Sequence, residues 1–360
     1  MWRNSWRIKT QSSLVLAFTL AALPLQAQAE RQAGPAAGEA EKPLAASSQR
    51  LPRVPVWDVG SDLVGDLSVM TTQYEDTFAG IGNRRSLGYL ELVKANPGVD
   101  PWLPGEGTQI TLPRRYVLPD VKREGIVINL AEYRLYYFHQ GQVQVYPVGV
   151  GTEDNPSPLT DAQVTMRLES PAWYPPKSVR AEYDARNEYL PRMIPPGPEN
   201  PLGSHALLLS EDGYLIHGTN KKFGVGMKVS HGCFRMYNED IERFIYQVDK
   251  GTSVTVIHQP VKIGLRGREV WLEVHRPEES YSDREREQLW TEVTRTLSRF
   301  EQEHPGVEYQ RRAIELAVQQ ADGLPRMIGE QLTRVAAELP RNRNEGAPEQ
   351  AGEAPVRMLF

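Results

Sequence analysis

Hydrophobic and polar positions divide this chain into stretches of different period. The first is an unbroken apolar run of twelve residues, Leu14 to Leu25, behind Arg3, Arg7 and Lys9 and ahead of Ala27-Gln28-Ala29. Twelve residues are too few to span a bilayer. A positive start, an apolar middle and a small-x-small end together make a secretory signal peptide over 1–29, cleaved after Ala29. The competing reading of this run is a membrane anchor. Its end carries no cysteine for a lipid anchor. Residues 30–57 are rich in Ala, Gly, Pro, Glu, Gln and Ser, lack any period and read as a flexible linker.

Over 58–115 the pattern suggests a small α+β unit. Leu67 to Thr72 is strand-like, and Asp76 stands where it would cap a helix through Phe78 and Ile81. Ser86 opens a second helix with Leu87, Leu90 and Val93 at helical spacing, and Asn96-Pro97-Gly98 ends it. Thr108 to Pro113 reads as a closing strand. From Gly125 the period shortens. Gly125 to Leu130, Tyr133 to Phe138 and the Val143, Val145, Val148 series are strands, with His139 to Gln142 as a turn. Such short strands and tight turns predict an antiparallel β-sandwich.

Residues 151–203 read as a proline-dense insertion with sparse secondary structure, of a length that is usually functional. Ala206 to Ser210 and Tyr214 to His217 then form a hairpin, with His205 read as structural and His139 as surface. Asn238-Glu239-Asp240 is expected to cap a helix carrying Ile241, Phe244, Ile245 and Val248, followed by a strand over Thr252 to Ile257. Beyond 260 a hairpin around Arg266-Gly267 is expected. Helices should follow from Glu278 and from about Glu308 to Ala337, giving a helical C-terminal extension over 260–338 and a disordered tail over 339–360.

Without residues 1–29, which hold three of the basic residues and no acidic one, 38 Lys+Arg face 46 Asp+Glu, a formal charge of −8. That balance argues against a nucleic-acid partner. Cys233 is the only cysteine among 360 residues. In an exported protein an unpaired thiol is either buried and inert or kept for its reactivity. Its neighbourhood favours reactivity. His217 and His231 both precede it in the same stretch, Gly232 lets backbone come close in front of the sulfur, and Ser230 and Arg235 are near. A histidine takes a thiol proton and later returns it to a leaving amine. A metal site of His217, His231 and Cys233 is the other reading, though a second cysteine is missing.

H-G-T-N at 217–220, then S-H-G-C-F-R at 230–235 after twelve intervening residues, resembles the signature of the L,D-transpeptidases with a YkuD-type catalytic domain. I-V-I-N-L-A-E-Y-R-L-Y-Y-F and Y-P-V-G-V-G are similar to the opening of that domain, here over 124–259. The E-D-T-F, A-N-P-G and P-G…I-T-L-P pieces within 58–115 resemble a LysM domain, a module that binds N-acetylglucosamine glycans. Glu75 stands where many LysM domains have Gly, and Ser157-Pro158-Leu159-Thr160 replaces the common T-P-x-G turn.

The resemblance implies a mainly β catalytic domain and a periplasmic enzyme acting on peptidoglycan tetrapeptide stems. Cys233 would be the nucleophile and His217 its base, oriented by a carbonyl such as that of Gly218. Amides around Gly232 and Cys233 would hold the oxyanion. Ser230, His231 and Arg235 would shape the site, with Arg235 available to a substrate carboxylate. Trp173, Tyr174 and Arg180 are candidates to touch the stem. No cofactor or metal is implied, and no membrane anchor after cleavage. The acceptor would be the C-terminal lysine of a Braun-type lipoprotein or the diamino acid of another stem. Hydrolysis of the same linkage, and a catalytically dead peptidoglycan-binding scaffold, are the other readings.

Overall fold

The computed structural model describes residues 53–276 and 282–332. The expected signal peptide, most of the linker and the expected disordered tail lie outside the described residues. The strands in chain order are β1 (Val56–Asp58), β2 (Leu63–Thr71), β3 (Gln109–Val117), β4 (Gly125–Asn129), β5 (Arg134–His139), β6 (Gln142–Pro147), β7 (Val150–Gly151), β8 (Asp161–Glu169), β9 (His205–Leu209), β10 (Leu215–His217), β11 (Lys228–Ser230), β12 (Phe234–Arg235), β13 (Ser253–Ile257), β14 (Val261–Arg266), β15 (Glu269–Val274), β16 (Val307–Tyr309) and β17 (Arg326–Gln331). The helices are α1 (Phe78–Arg85), α2 (Tyr89–Ala95), α3 (Lys177–Ala185), α4 (Asn238–Phe244), α5 (Asp283–Glu303) and α6 (Arg311–Gln320).

Nine strands hydrogen-bond in the order β1-β6-β5-β4-β13-β8-β9-β10-β12. The ladder is antiparallel except at β4–β13 and β10–β12, which are parallel. The all-antiparallel expectation is therefore corrected at those two joints. Strands β4 and β5 are buried almost throughout because both faces are covered. Ile126, Ile128, Leu135 and Tyr137 face a core shared with Ile216, Phe234 and the α4 side chains Ile241 and Phe244. Val127, Tyr136 and Phe138 face the other way, against Val64, Tyr116 and Leu118. Strands from both ends of the order thus supply one core, so the sheet wraps around it.

The 58–115 stretch forms a β2-α1-α2-β3 unit whose two strands pair antiparallel over nine positions, Leu63↔Val117 to Thr71↔Gln109. Its caps differ from the expected ones. Thr77, one residue after Asp76, caps α1 by accepting from Gly80 N. The Asp76 carboxylate instead accepts from Gln73 N at 2.8 Å and pairs with Arg84. Ser86 ends α1 in a left-handed conformation rather than opening α2, whose N-cap is Gly88. The unit is fixed to the catalytic domain. Tyr89 N donates to Val225 O at 3.1 Å, Tyr237 OH to Leu87 O at 3.1 Å, and Ser86 Oγ to Asp240 at 2.6 Å. A Cβ on Gly226 would come within 2.5 Å of Gly88 Cα, so glycine is required at this close approach.

Two expectations fail along the second half of the chain. Residues 151–203 are not sparse. Strand β8 lies inside the main sheet between β13 and β9, and α3 follows it. The C-terminal extension is not simply helical. The expected β14–β15 hairpin is present, and β17 and β16 extend it into a four-stranded sheet backed by α5 and α6. The first helix is α5 from Asp283 behind the Ser282 cap, and the expected start at Glu278 lies outside the described residues. Within the described part of the expected 308–337 helix stand a strand, a helix and a strand, while 333–337 lie outside the described residues. Ala321 turns left-handed, Gly323 has φ +78° and Pro325 follows, so α6 cannot continue.

A buried ion network joins the three parts of the chain. Arg134 on β5 contacts Glu91 (2.7 Å), Glu132 (2.7 Å) and Glu273 (2.5 Å). Lys262 on β14 contacts Glu132 (2.7 Å), Glu273 (3.2 Å) and the Tyr136 hydroxyl (2.9 Å). Buried charges are tolerated when they are paired and hydrogen-bonded in this way.

Candidate active site

The site is built where β10 and β12 run parallel, with Ile216↔Phe234 and His217↔Arg235 as register partners. Ile216 and Phe234 are fully buried in the core. Side chains alternate along a strand, so His217 and Arg235 leave the opposite face together. Cys233 immediately precedes β12, close enough for the Arg235 charge to act on it. The sheet thereby gathers thiol, imidazole and guanidinium from two chain segments.

His217 is buried, and its Nδ1 lies 2.6 Å from Gly218 O. A carbonyl only accepts, so Nδ1 carries the proton and Nε2 holds the free lone pair. Burial first, then the Arg235 charge, pull the imidazole down to about 4, while the Gly218 and Leu202 carbonyls oppose this. Near neutral pH it is therefore an uncharged base. Cys233 is half-buried and unpaired, and its Sγ donates to Gly213 O at 3.5 Å. Burial pushes the thiol up, while a backbone bond at Leu215 and the Arg235 charge pull it down. The resting pair is thus neutral thiol and neutral imidazole.

Hydrogen bonds fix the loop around the sulfur. Ser230 Oγ donates to Cys233 O (2.5 Å) and accepts from Gly232 N (3.1 Å). That amide is engaged with Ser230, which corrects the expectation that it faces an oxyanion. Gly232 has φ +106°, and a Cβ there would meet the Tyr214 ring at 2.9 Å. Gly218 donates to His205 O (3.0 Å) and turns its carbonyl to His217. His231 points to Glu182 on α3 at 3.0 Å. Arg235 is held from behind, where its backbone exchanges two hydrogen bonds with Gly149. Its Nε is buried without a hydrogen-bond partner. A buried unpaired donor is costly.

Three residues escaped the sequence reading. Ser157 Oγ donates to Gly232 O (2.7 Å) and accepts from Gly151 N (2.9 Å), tying the loop to the end of β7. Glu182 is the residue of the 171–203 stretch that reaches the loop. Trp173 instead bridges Ile194, and Tyr174 is exposed. Asn238, expected as a helix cap, follows the N-cap Tyr237 and spends its side chain on Thr219 and Ser204. Among the described residues, the group bringing metal-ligand atoms together is Glu132, Glu273 and His275. Lys262 and Arg134 already supply two cations there.

Residues 123–257 match the YkuD family, the L,D-transpeptidase catalytic domain. The chain is 41% identical over 231 residues to the Escherichia coli "Probable L,D-transpeptidase YcfS", covering 62% of this chain and 72% of that one. It is 42% identical over 231 residues to the E. coli "Probable L,D-transpeptidase YbiS", covering 61% and 73%. Against the E. coli "Probable L,D-transpeptidase ErfK/SrfK" it is 41% identical over 227 residues, covering 61% and 72%.

Proposed function

The chain belongs to the L,D-transpeptidase family and is an enzyme of that class, and from this premise we propose that it works in the periplasm on peptidoglycan tetrapeptide stems through an acyl-enzyme on Cys233. The observation carrying this is the β10–β12 pairing, which sets His217 beside Arg235 with Cys233 one residue ahead of β12.

His217 Nε2 takes the thiol proton as Sγ attacks the carbonyl at the L-centre of the third-position diamino acid. The bond from that carbonyl to the nitrogen of D-Ala breaks, and His217 gives its proton to the departing amine. An acceptor amine then attacks the thioester carbon. The C–S bond breaks, the C–N bond forms, and the amine proton passes through His217 to the thiolate. Gly218 holds the tautomer. With Gly232 N committed to Ser230, the oxyanion falls to the Cys233 amide and its surroundings. Arg235 Nε receives a substrate carboxylate. The 58–115 unit serves as a LysM-like glycan-binding module, an assignment supported by its β-α-α-β order. The acceptor is the C-terminal lysine of a Braun-type lipoprotein.

Incubation with a disaccharide-tetrapeptide, followed by mass spectrometry, tests the reading. We expect loss of D-Ala and an acyl adduct on Cys233. A Cys233→Ala variant that still forms the adduct would sink the assignment.

A further inference from the structure

We propose that Asn238 is the positioning residue for His217, clamping the backbone turn whose Gly218 carbonyl orients the imidazole. The inference rests on the reading of His217 as the base. Asn238 Oδ1 accepts from Thr219 N (3.0 Å) and Ser204 N (3.2 Å), and its Nδ2 donates to Thr219 O (2.9 Å). These partners belong to two segments, 202–205 and 217–219, separated by strands β9 and β10. The second segment supplies the Gly218 carbonyl that accepts from the imidazole Nδ1–H, and the first packs against it through the Gly218 N to His205 O bond.

The packing leaves this side chain little freedom. A Cβ on Gly218 or on Gly203 would lie 2.1 Å from Asn238 Oδ1. Both glycines therefore make room for the amide, and Gly203 also has φ +66°. Only an amide both accepts from two N–H groups and donates to the Thr219 carbonyl. In many histidine-based sites a carboxylate fixes the ring. Here the Gly218 carbonyl does so, and Asn238 holds that carbonyl in place. If the turn relaxes, Nδ1–H loses its acceptor, the tautomers mix, and the Nε2 lone pair no longer points steadily at the thiol.

The test compares wild type, Asn238→Ala and Asn238→Asp in two measurements. One is carbapenem acylation rate against pH, and the other is nitrogen NMR of ring-labelled histidine. For Asn238→Ala we expect acylation slowed by about tenfold to a hundredfold, with the His217 resonances changed from one tautomer to a mixture. Asn238→Asp keeps both N–H bonds and so keeps the tautomer. Its new charge favours imidazolium, moving the acid limb up by about one pH unit. Arg235, the charged group acting on the imidazole, is unchanged in both variants.

A folded Asn238→Ala protein with one tautomer and wild-type acylation overturns the proposal. So does equal loss in both variants with an unmoved pH profile and a single tautomer, the mark of a structural role. If the alanine variant fails to fold, the aspartate profile decides alone. Wild type that takes no carbapenem refutes the base assignment instead, while the tautomer spectra still report on Asn238.

Discussion

His217 and Arg235 are register partners in the parallel pair of β10 and β12, so imidazole and guanidinium stand side by side on one face. The guanidinium charge lowers both His217 and Cys233. It keeps the base neutral and eases thiolate formation. Replacing Arg235 with Met removes that charge at similar length. Both groups should then rise, the acid limb of acylation should move from about 4 toward the ordinary 6.5, and acylation near neutrality should slow by about tenfold. Stopped-flow acylation by a carbapenem across pH measures it. An acid limb left in place would mean that the two side chains do not feel each other.

The wild-type profile follows from the same geometry. With His217 at about 4, the acylation rate should hold as pH falls from 7 to about 5, then drop about tenfold per unit below 4. Stability moves with the same sign. The folded value lies below that of the unfolded chain, so the contribution is whole above pH 6.5. It declines as pH falls from 6.5 through 4, because the unfolded state takes up the proton first. The loss is about 3 kcal/mol in all. Urea unfolding of wild type and His217→Phe at pH 7 and pH 4 isolates it, and the gap between the two proteins should narrow at the lower pH. Parallel curves would reject this account.

The buried network makes a stability prediction of its own. Lys262 is fully buried against Glu132 and Glu273. Lys262→Met would leave three carboxylates, Glu91, Glu132 and Glu273, around Arg134. Removing one partner of such a group costs about 3–5 kcal/mol. Adding Glu132→Gln should recover a large part of that loss by restoring charge balance. Denaturant midpoints for the single and double variants check it; a double variant weaker than both singles combined would contradict the charge argument.

The sequence was most readable where one local rule acts alone. The β-branched and aromatic runs in Gly125 to Phe138, bounded by a turn, were enough to read β4 and β5, since residue type and run length need no partner to be seen. The H-G-T-N and S-H-G-C-F-R segments pointed to one site because a sole cysteine preceded by two histidines in one short stretch has few other uses. The contacts that organise the site were hidden for a physical reason. Ser157 and Gly232 are 75 residues apart, and His231 and Glu182 are 49 apart. No local period records such pairs. Asn238 was misread because asparagine before two acids is also a good helix start, and only the folded chain brings Thr219 and Ser204 to it. The 308–337 stretch reads as helix because Arg, Glu, Leu, Ala and Gln all favour one. Gly323-Leu324-Pro325 and the edge offered by β15 override that preference.

The 58–115 unit carries an exposed Trp102, whose ring centroid lies 5.3 Å from that of Phe223 in the 218–229 loop. An aromatic face of this kind suits stacking on a sugar ring. Full-length Cys233→Ala should co-sediment with peptidoglycan sacculi, and adding Trp102→Ala should weaken this by about tenfold, a change of about 1.4 kcal/mol. Unchanged sedimentation of the double variant would remove Trp102 from the glycan contact. Absence of sedimentation in the parent would leave the unit as a scaffold for the loop.

The acceptor step should reveal itself through pH and competition. A lysine amine has a pKa of roughly 10.4, so about one molecule in 2,500 is uncharged at pH 7. Attack on the thioester needs that uncharged form, whereas water needs no such deprotonation. The ratio of transfer to hydrolysis should therefore rise about tenfold per pH unit between 6 and 8, while carbapenem acylation stays nearly flat. The acid–base machinery treats every amine alike, so the choice between amines rests on shape and charge beside the acyl group. The net charge of −8 without residues 1–29 favours a cationic lysine tail. With a tetrapeptide donor and equal amounts of a lysine-terminated peptide and a free stem, the lysine adduct should dominate the mass spectrum. A dominant 3–3 crosslink would reassign the acceptor to the stem. Free tripeptide that dominates at every pH would make the enzyme a hydrolase of the same linkage.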